Sequence, residues 1–178
     1  MADRFQRNII LIGYHCSGKT AVGKVLAEKL QVPFCDTDAL ISRRTGKSVR
    51  QIVAEQGWEG FRREERIVIK GLSFMKGSVI ALGGGAVMNP ENLEILNGKG
   101  VFVRLAADAV AIVARIQQDA AKDSQRPLLT NTDAEAEMET LLKEREPIYR
   151  MIADKTVDTT DRAIEAIADE IFMLMTGG

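Results

Sequence analysis

The octapeptide Gly13-Tyr14-His15-Cys16-Ser17-Gly18-Lys19-Thr20 constrains this chain more than any other feature. It fits G-x-x-x-x-G-K-[ST], a pattern that carries meaning only where a strand runs into it and a helix runs out. Both flanks are present. Residues 8–12, NIILI, are a short β-branched apolar run closed by glycine, which reads as a buried strand. Val22, Val25, Leu26, Lys29 and Leu30 then recur at helical spacing. In such a loop glycines let the backbone wrap phosphate oxygens, while amide N–H groups and the helix N-terminus stabilise their charge. Lys19 would reach the β- and γ-phosphates and Thr20 would ligate Mg²⁺. A glycine turn with a capping threonine is the bland alternative; four specified positions between the correct flanks weigh against it.

Further along, strand-length apolar runs alternate with helical periods. Strands are expected at 33–35, running into Asp36, at 78–82, at 101–105 and at 156–157. Helices are expected at 38–45, 48–56 and 58–75, from Asn89-Pro90 to about 98, from the fourth strand to about 118, from 132 or 133 to about 150, and at 163–175. Residues 119–132 are polar and break the pattern. Strands alternating with helices predict an α/β domain with a parallel sheet. A length of 178 residues suits one such domain with room for a mobile insertion.

Composition narrows the classes. Twenty-four basic against 25 acidic side chains leave a formal charge of −1, so nothing global predicts binding to nucleic acid or a membrane surface. Cys16, Cys35 and one histidine make neither a zinc pattern nor a disulfide framework. The N-terminal apolar run is too short for a signal-peptide core, and the apolar stretch at 101–116 is interrupted by Arg104 and Asp108. The expectation is a soluble, cytoplasmic, reduced protein.

In open α/β sheets ligands lie beyond the carboxyl ends of the strands. That rule selects Asp36-Thr37-Asp38, Gly83-Gly84-Gly85 and Asp158, which all follow strand candidates. Asp36 would sit near Mg²⁺, directly or through water, and Asp38 would accept the proton of an attacking hydroxyl. Aspartates that cap the next helix are the competing reading. The glycine triplet would let a ligand approach the backbone, or be a plain flexible turn. Phe61-Arg62-Arg63-Glu64-Glu65 reads by itself as a solvated helix face, Trp58 as a core residue, and His15 as a loop residue without a catalytic role. Arg126-Pro127-Leu128-Leu129 and Arg145-Glu146-Pro147-Ile148-Tyr149 are each weak alone, although arginines converging near phosphates make bidentate contacts.

Taken together and in order, the phosphate loop, Asp36-Thr37-Asp38, Phe61-Arg62…Glu65, Gly83-Gly84-Gly85-Ala86-Val87, Arg126-Pro127-Leu128-Leu129 and Arg145-x-Pro-x-Tyr149 make the chain resemble the shikimate kinase family over residues 8 to 171. The resemblance implies a three-layer P-loop kinase with a central five-stranded parallel sheet, a substrate-binding region over 36–63 and a lid over 116–131. It implies ATP and Mg²⁺ as cofactors, shikimate as the substrate phosphorylated on its 3-hydroxyl, and a monomer. By position, Asp38 would hold ring hydroxyls and act as base, Arg62 and Arg145 would clamp the carboxylate, and Gly84 would bind substrate through its backbone. Gly13, Cys16, Ser17, Gly18, Lys19, Thr20 and Ala21 would hold the nucleotide, Arg126 would reach the phosphates, and Arg115 and Arg162 would lie near the adenine. Thr20 and Asp36 would serve the metal.

Three positions depart from the family pattern. Cys16 stands where a third phosphate-loop glycine is usual, Leu82 where threonine is common before the glycines, and Ile164 near a position where proline is frequent. A thiol at Cys16 would face a helix N-terminus and Lys19, which favours thiolate, unless it is simply a packed small residue. A related small-molecule kinase such as gluconate kinase, and a nucleotide-binding regulator that has lost catalysis, are the competing functions. The joint presence of Lys19, Thr20, Asp38, Arg62, Gly84, Arg126 and Arg145 weighs against both.

Overall fold

A computed structural model describes residues 6–120 and 134–177. Five strands, β1 (Asn8–Ile12), β2 (Phe34–Asp36), β3 (Val79–Ala81), β4 (Gly100–Ala106) and β5 (Lys155–Asp158), form one wholly parallel sheet in the order β2-β3-β1-β4-β5. Central β1 is buried at every position, which is why it reads as an unbroken apolar run. Each of its isoleucines and its leucine contributes about 2 kcal/mol through burial, so the strand that delivers the phosphate loop is firmly held.

The two faces of β1 divide the core. Ile10 and Ile12, with Ile80 and Leu82, pack against Ile52, Phe61 and Ile69 of α3 (Val49–Leu72) and Leu96 of α4 (Pro90–Leu96). Ile9 and Leu11, with Val79, Val103, Leu105 and Val157, pack against Val22 and Leu26 of α1 (Lys19–Leu30) and Ile167 and Ile171 of α7 (Ile164–Thr176). Helices therefore cover both faces, giving three layers. The remaining helices are α2 (Thr37–Thr45), α5 (Ala109–Ala120) and α6 (Ala134–Ile152).

The expected elements appear in order, with shifts at their ends. Helices 48–56 and 58–75 are one run that bends at Gly57, whose φ of 69° only glycine adopts at low cost, and it stops at Leu72. Ser48 and Gln51 close a reciprocal capping box at its start, and Asn89 caps α4 ahead of Pro90. β2 is an edge strand and only partly buried, so Cys35 is less enclosed than a buried strand implies. Of the expected lid, residues 116–120 are the last turns of α5, and the rest, with Arg126, lies outside the described residues. Among the described residues no helix is long and apolar enough to cross a membrane.

Candidate active site

The phosphate loop leaves β1 between β3 and β4. Gly13 has φ 143°, and a Cβ there would lie 2.4 Å from the Leu105 carbonyl oxygen, so the first glycine is required twice over. Gly18, at φ 94°, caps α1 in a left-handed conformation. Lys19 is buried and donates to the carbonyls of Gly13 (2.9 Å) and Tyr14 (2.6 Å), so its ammonium sits inside the loop. The loop lines a cleft of about 970 Å³ together with Asp36, Asp38, Gly83, Gly84, Arg115 and Arg162.

Asp36 caps α2 and also reaches the phosphate-loop threonine. Its Oδ1 accepts from the Ala39 amide and caps α2, while its Oδ2 accepts from the Thr20 hydroxyl at 2.6 Å. Thr20 thus turns its proton toward Asp36 and keeps hydroxyl lone pairs for a cation. Two hard oxygens on the cleft floor, with room for phosphates, suit Mg²⁺, which retains waters and takes few protein ligands. The hydroxyl of buried Thr37 accepts from the Gly83 amide at 2.8 Å, fixing the glycine loop to the Asp36–Asp38 turn. Asp38 lies in the first turn of α2 and faces the cleft.

Beyond Gly84 the charge reverses. A Cβ on Gly84 would lie 3.1 Å from the His15 amide nitrogen, so this glycine packs on the phosphate loop itself. A Cβ on Gly85 would come within 2.2 Å of an Arg62 guanidinium nitrogen, so the glycine makes space for Arg62. Arg62 donates to the fully buried carboxylate of Glu65 at 2.6 Å and lies over the Phe61 ring at 5.3 Å. Arg145 stacks over Tyr14 at 5.3 Å. Tyr149, 2 % exposed, donates its hydroxyl hydrogen to the Gly84 carbonyl at 2.5 Å. Burial pushes the Tyr149 hydroxyl up to about 12, with Arg145 acting in the opposite direction. Arg62 of α3 and Arg145 of α6 thus meet the glycine loop and its neighbour Tyr14 at a corner next to Gly84. Neither arginine lines the cleft itself.

The far end of the cleft is framed by Arg115, Arg162, Ile164 and Ile167. Arg115 donates to the carbonyls of Cys16 (3.3 Å) and Thr159 (2.6 Å), and Arg162 donates to the Asp158 carbonyl and pairs with Glu170. Asp158 does not line the cleft. Its carboxylate accepts from the Thr160 amide, which is the main reason its pKa is lowered.

A model of the shikimate kinase family matches residues 15–176. The chain belongs to the shikimate kinase family. It is 46% identical over 173 residues to a shikimate kinase from Syntrophus aciditrophicus, covering 93% of this chain and 89% of that one. It is 37% identical to one from Vibrio vulnificus over 98% of each. Among solved structures, the shikimate kinase from Acinetobacter baumannii in complex with shikimate superposes with a TM-score of 0.90 at 36% identity, covering 99% and 96% of the two chains. The Aquifex aeolicus enzyme gives 0.79 at 35% identity, covering 96% of each.

The geometry accounts for the departures from the family pattern. Cys16 has φ 60°, a left-handed value that suits the usual glycine and strains any other residue. Ile164 is the first residue of α7, a position where proline loses nothing because its amide has no helical partner. Leu82 is buried against the α3 face of the sheet. Two local readings are overturned: the 61–65 stretch is not a solvated face but buries Phe61 and Glu65, and Trp58 is not core but 48% exposed, edge-on to Phe61 at 5.9 Å and beside Arg62. An exposed bend at Gly57 carries it outward. Tyr149, Thr37, Glu65 and Thr159 had no assigned role. All four adjoin or belong to quoted motifs, and that adjacency was the available signal.

Proposed function

We propose that the chain transfers the γ-phosphoryl group of ATP to the 3-hydroxyl of shikimate, giving shikimate 3-phosphate and ADP. The observation that carries this reading is the pair of guanidiniums brought to the glycine loop, Arg62 against Gly85 and Arg145 over Tyr14, where Gly84 shares the cleft lining with Asp38. A phosphate loop alone suits any nucleotide. Two planar cations for one carboxylate, next to one carboxylate for hydroxyls, suit a small polyhydroxy acid.

Amides of residues 13–18, with Ala21 in the first turn of α1, receive the nucleotide phosphates, and Lys19 moves from the loop carbonyls to the β- and γ-oxygens. Thr20, with Asp36 directly or through water, would hold Mg²⁺, which supplies charge neutralisation on those oxygens. Arg62 and Arg145 hold the substrate carboxylate, and Gly84 meets the substrate through its backbone. Asp38 orients the ring hydroxyls and accepts the proton as the oxygen attacks phosphorus. The new O–P bond forms as the bond to ADP breaks. Arg115 and Arg162 frame the adenine end. Residues 116–131 serve as a lid whose Arg126 reaches the phosphates, and 36–63 form the substrate-binding region of a single-domain, cytoplasmic monomer. Incubation with ATP, Mg²⁺ and shikimate, followed by ³¹P NMR and mass analysis, tests the reaction. One shikimate monoester should form per ADP; ADP release without a phosphorylated acceptor would overturn it.

A further inference from the structure

Arg145 and Tyr149 both stand on α6, on a stretch that is intrinsically weak as a helix. Pro147 lies between them, and a proline inside a helix removes one backbone hydrogen bond and crowds the preceding turn. Something outside the helix must hold this turn in place. Tyr149 supplies one tether through Gly84. The second is Glu146, which the family motif leaves unspecified. Both of its oxygens accept from Arg104 of β4, at 2.6 and 2.5 Å, and Oε1 also accepts from Arg150 at 2.6 Å. Arg104 is only 12% exposed and Glu146 28%, so this is a largely desolvated pair. Arg104 pairs in register with Ile12, the last residue before the phosphate loop, so the pin joins α6 to the strand beside β1. Its charge also reaches the Tyr149 hydroxyl.

We infer that the Arg104–Glu146 ion pair is a positioning device that holds Arg145 and Tyr149 in register with the glycine loop, and that Glu146 is thereby a positioning residue for the acid substrate. A partly buried pair contributes little net stability compared with apolar replacements, but breaking it from one side leaves a charge uncompensated. Loss of Glu146 would leave Arg104 without its partner and loosen the turn at Pro147, displacing the guanidinium that reads the substrate carboxylate. The nucleotide half of the site is on other elements and would be spared.

This inference rests on the proposed reaction, and the experiment separates the two. Steady-state kinetics are measured for the full chain, Glu146→Gln, Arg104→Lys and the neutral double variant Arg104→Gln/Glu146→Gln, with ADP affinity measured independently. KM for shikimate should rise about tenfold in Glu146→Gln, the scale of a cation displaced by a fraction of an ångström. The KM for ATP, ADP affinity and kcat should stay within about threefold, since the lost interaction is ground-state positioning. Arg104→Lys, which keeps charge but loses the fork, should fall between. The double variant should recover part of the loss, because no largely buried charge is left unpaired and Arg150, 72% exposed, is solvated without its partner. An unchanged shikimate KM in Glu146→Gln, or equal losses on both substrates, would overturn the positioning role. Absence of shikimate turnover by the unaltered chain would instead overturn the proposed reaction.

Discussion

The Tyr149 hydroxyl donates to the Gly84 carbonyl across 65 residues of sequence, at 2.5 Å and in a buried setting. The bond fixes the peptide plane of the glycine loop from α6, so the two halves of the substrate corner are one mechanical unit. Tyr149→Phe leaves that carbonyl without its partner and should cost about 1–3 kcal/mol of stability. Shikimate KM should rise with kcat little changed. The titration has a definite sign. The folded hydroxyl is pushed up to about 12 from 10.0, so its stabilising contribution is complete below about pH 10 and is lost as pH rises through 12. Absorbance at 295 nm should show a step near pH 12 that Tyr149→Phe removes. A normal titration near 10 for both tyrosines of the folded protein would contradict this.

Gly85 is needed for space rather than for its backbone angle, since its φ of −99° suits any residue. Gly85→Ala should drive Arg62 off the corner, raising shikimate KM on the order of tenfold, and lower Tm because the buried Glu65 carboxylate loses its partner. A crystal structure of the variant should find the Arg62 guanidinium moved. An unmoved Arg62, or a normal KM, would remove the reason given for this glycine.

Arg145 and Asp38 should separate cleanly in kinetics. Arg145→Lys keeps the charge and loses the planar face that stacks on Tyr14, so shikimate KM should rise at least about tenfold with ATP binding unchanged. Asp38→Asn should depress kcat by about 10² or more, as it removes the proton acceptor. Trp58, the single tryptophan, lies beside Arg62, so its fluorescence reports substrate binding independently of turnover. An Asp38→Asn enzyme with near-normal kcat would rule out the proposed base.

Cys16 offers a stability test and a reactivity test. Its φ of 60° costs on the order of 1 kcal/mol that glycine would not bear. Glycine's larger unfolded-state entropy offsets part of that gain. Cys16→Gly should therefore keep activity and hold or raise Tm by up to about 3 °C. Both thiols line the cleft, but burial raises the Cys35 thiol above its ordinary value. Limiting alkylator should label Cys16 first, and Mg-ATP should protect it. Labelling of Cys35 first, or indifference to nucleotide, would contradict the assignment.

How much of this was legible in the sequence depends on the length over which each signal acts. The phosphate loop, the buried run of β1 and the Asn89-Pro90 start of α4 are local patterns, and they appear where expected. Asp36 shows the limit of local reading: capping and a place at the phosphate loop looked like alternatives, yet one oxygen caps α2 and the other accepts from Thr20. The glycine triplet reads as space for a ligand, while what fills it at Gly85 is Arg62 from a distant helix. Trp58 misled because a large aromatic ring is ordinarily buried, and only the bend at Gly57 turns it outward. The Tyr149 and Glu146 tethers join residues 65 and 42 positions apart, respectively, which no local period encodes.

The central claim is the identity of the acceptor. Coupled ADP release should be compared with shikimate, gluconate and a nucleoside monophosphate at equal concentrations, each with and without Mg²⁺. The account predicts turnover that depends on both shikimate and Mg²⁺, with kcat/KM for shikimate exceeding the others by at least about 10², because the paired guanidiniums and Asp38 would be left unmatched by the wrong acceptor. Faster turnover of gluconate or a nucleoside monophosphate, or ADP release indifferent to any acceptor, would contradict it.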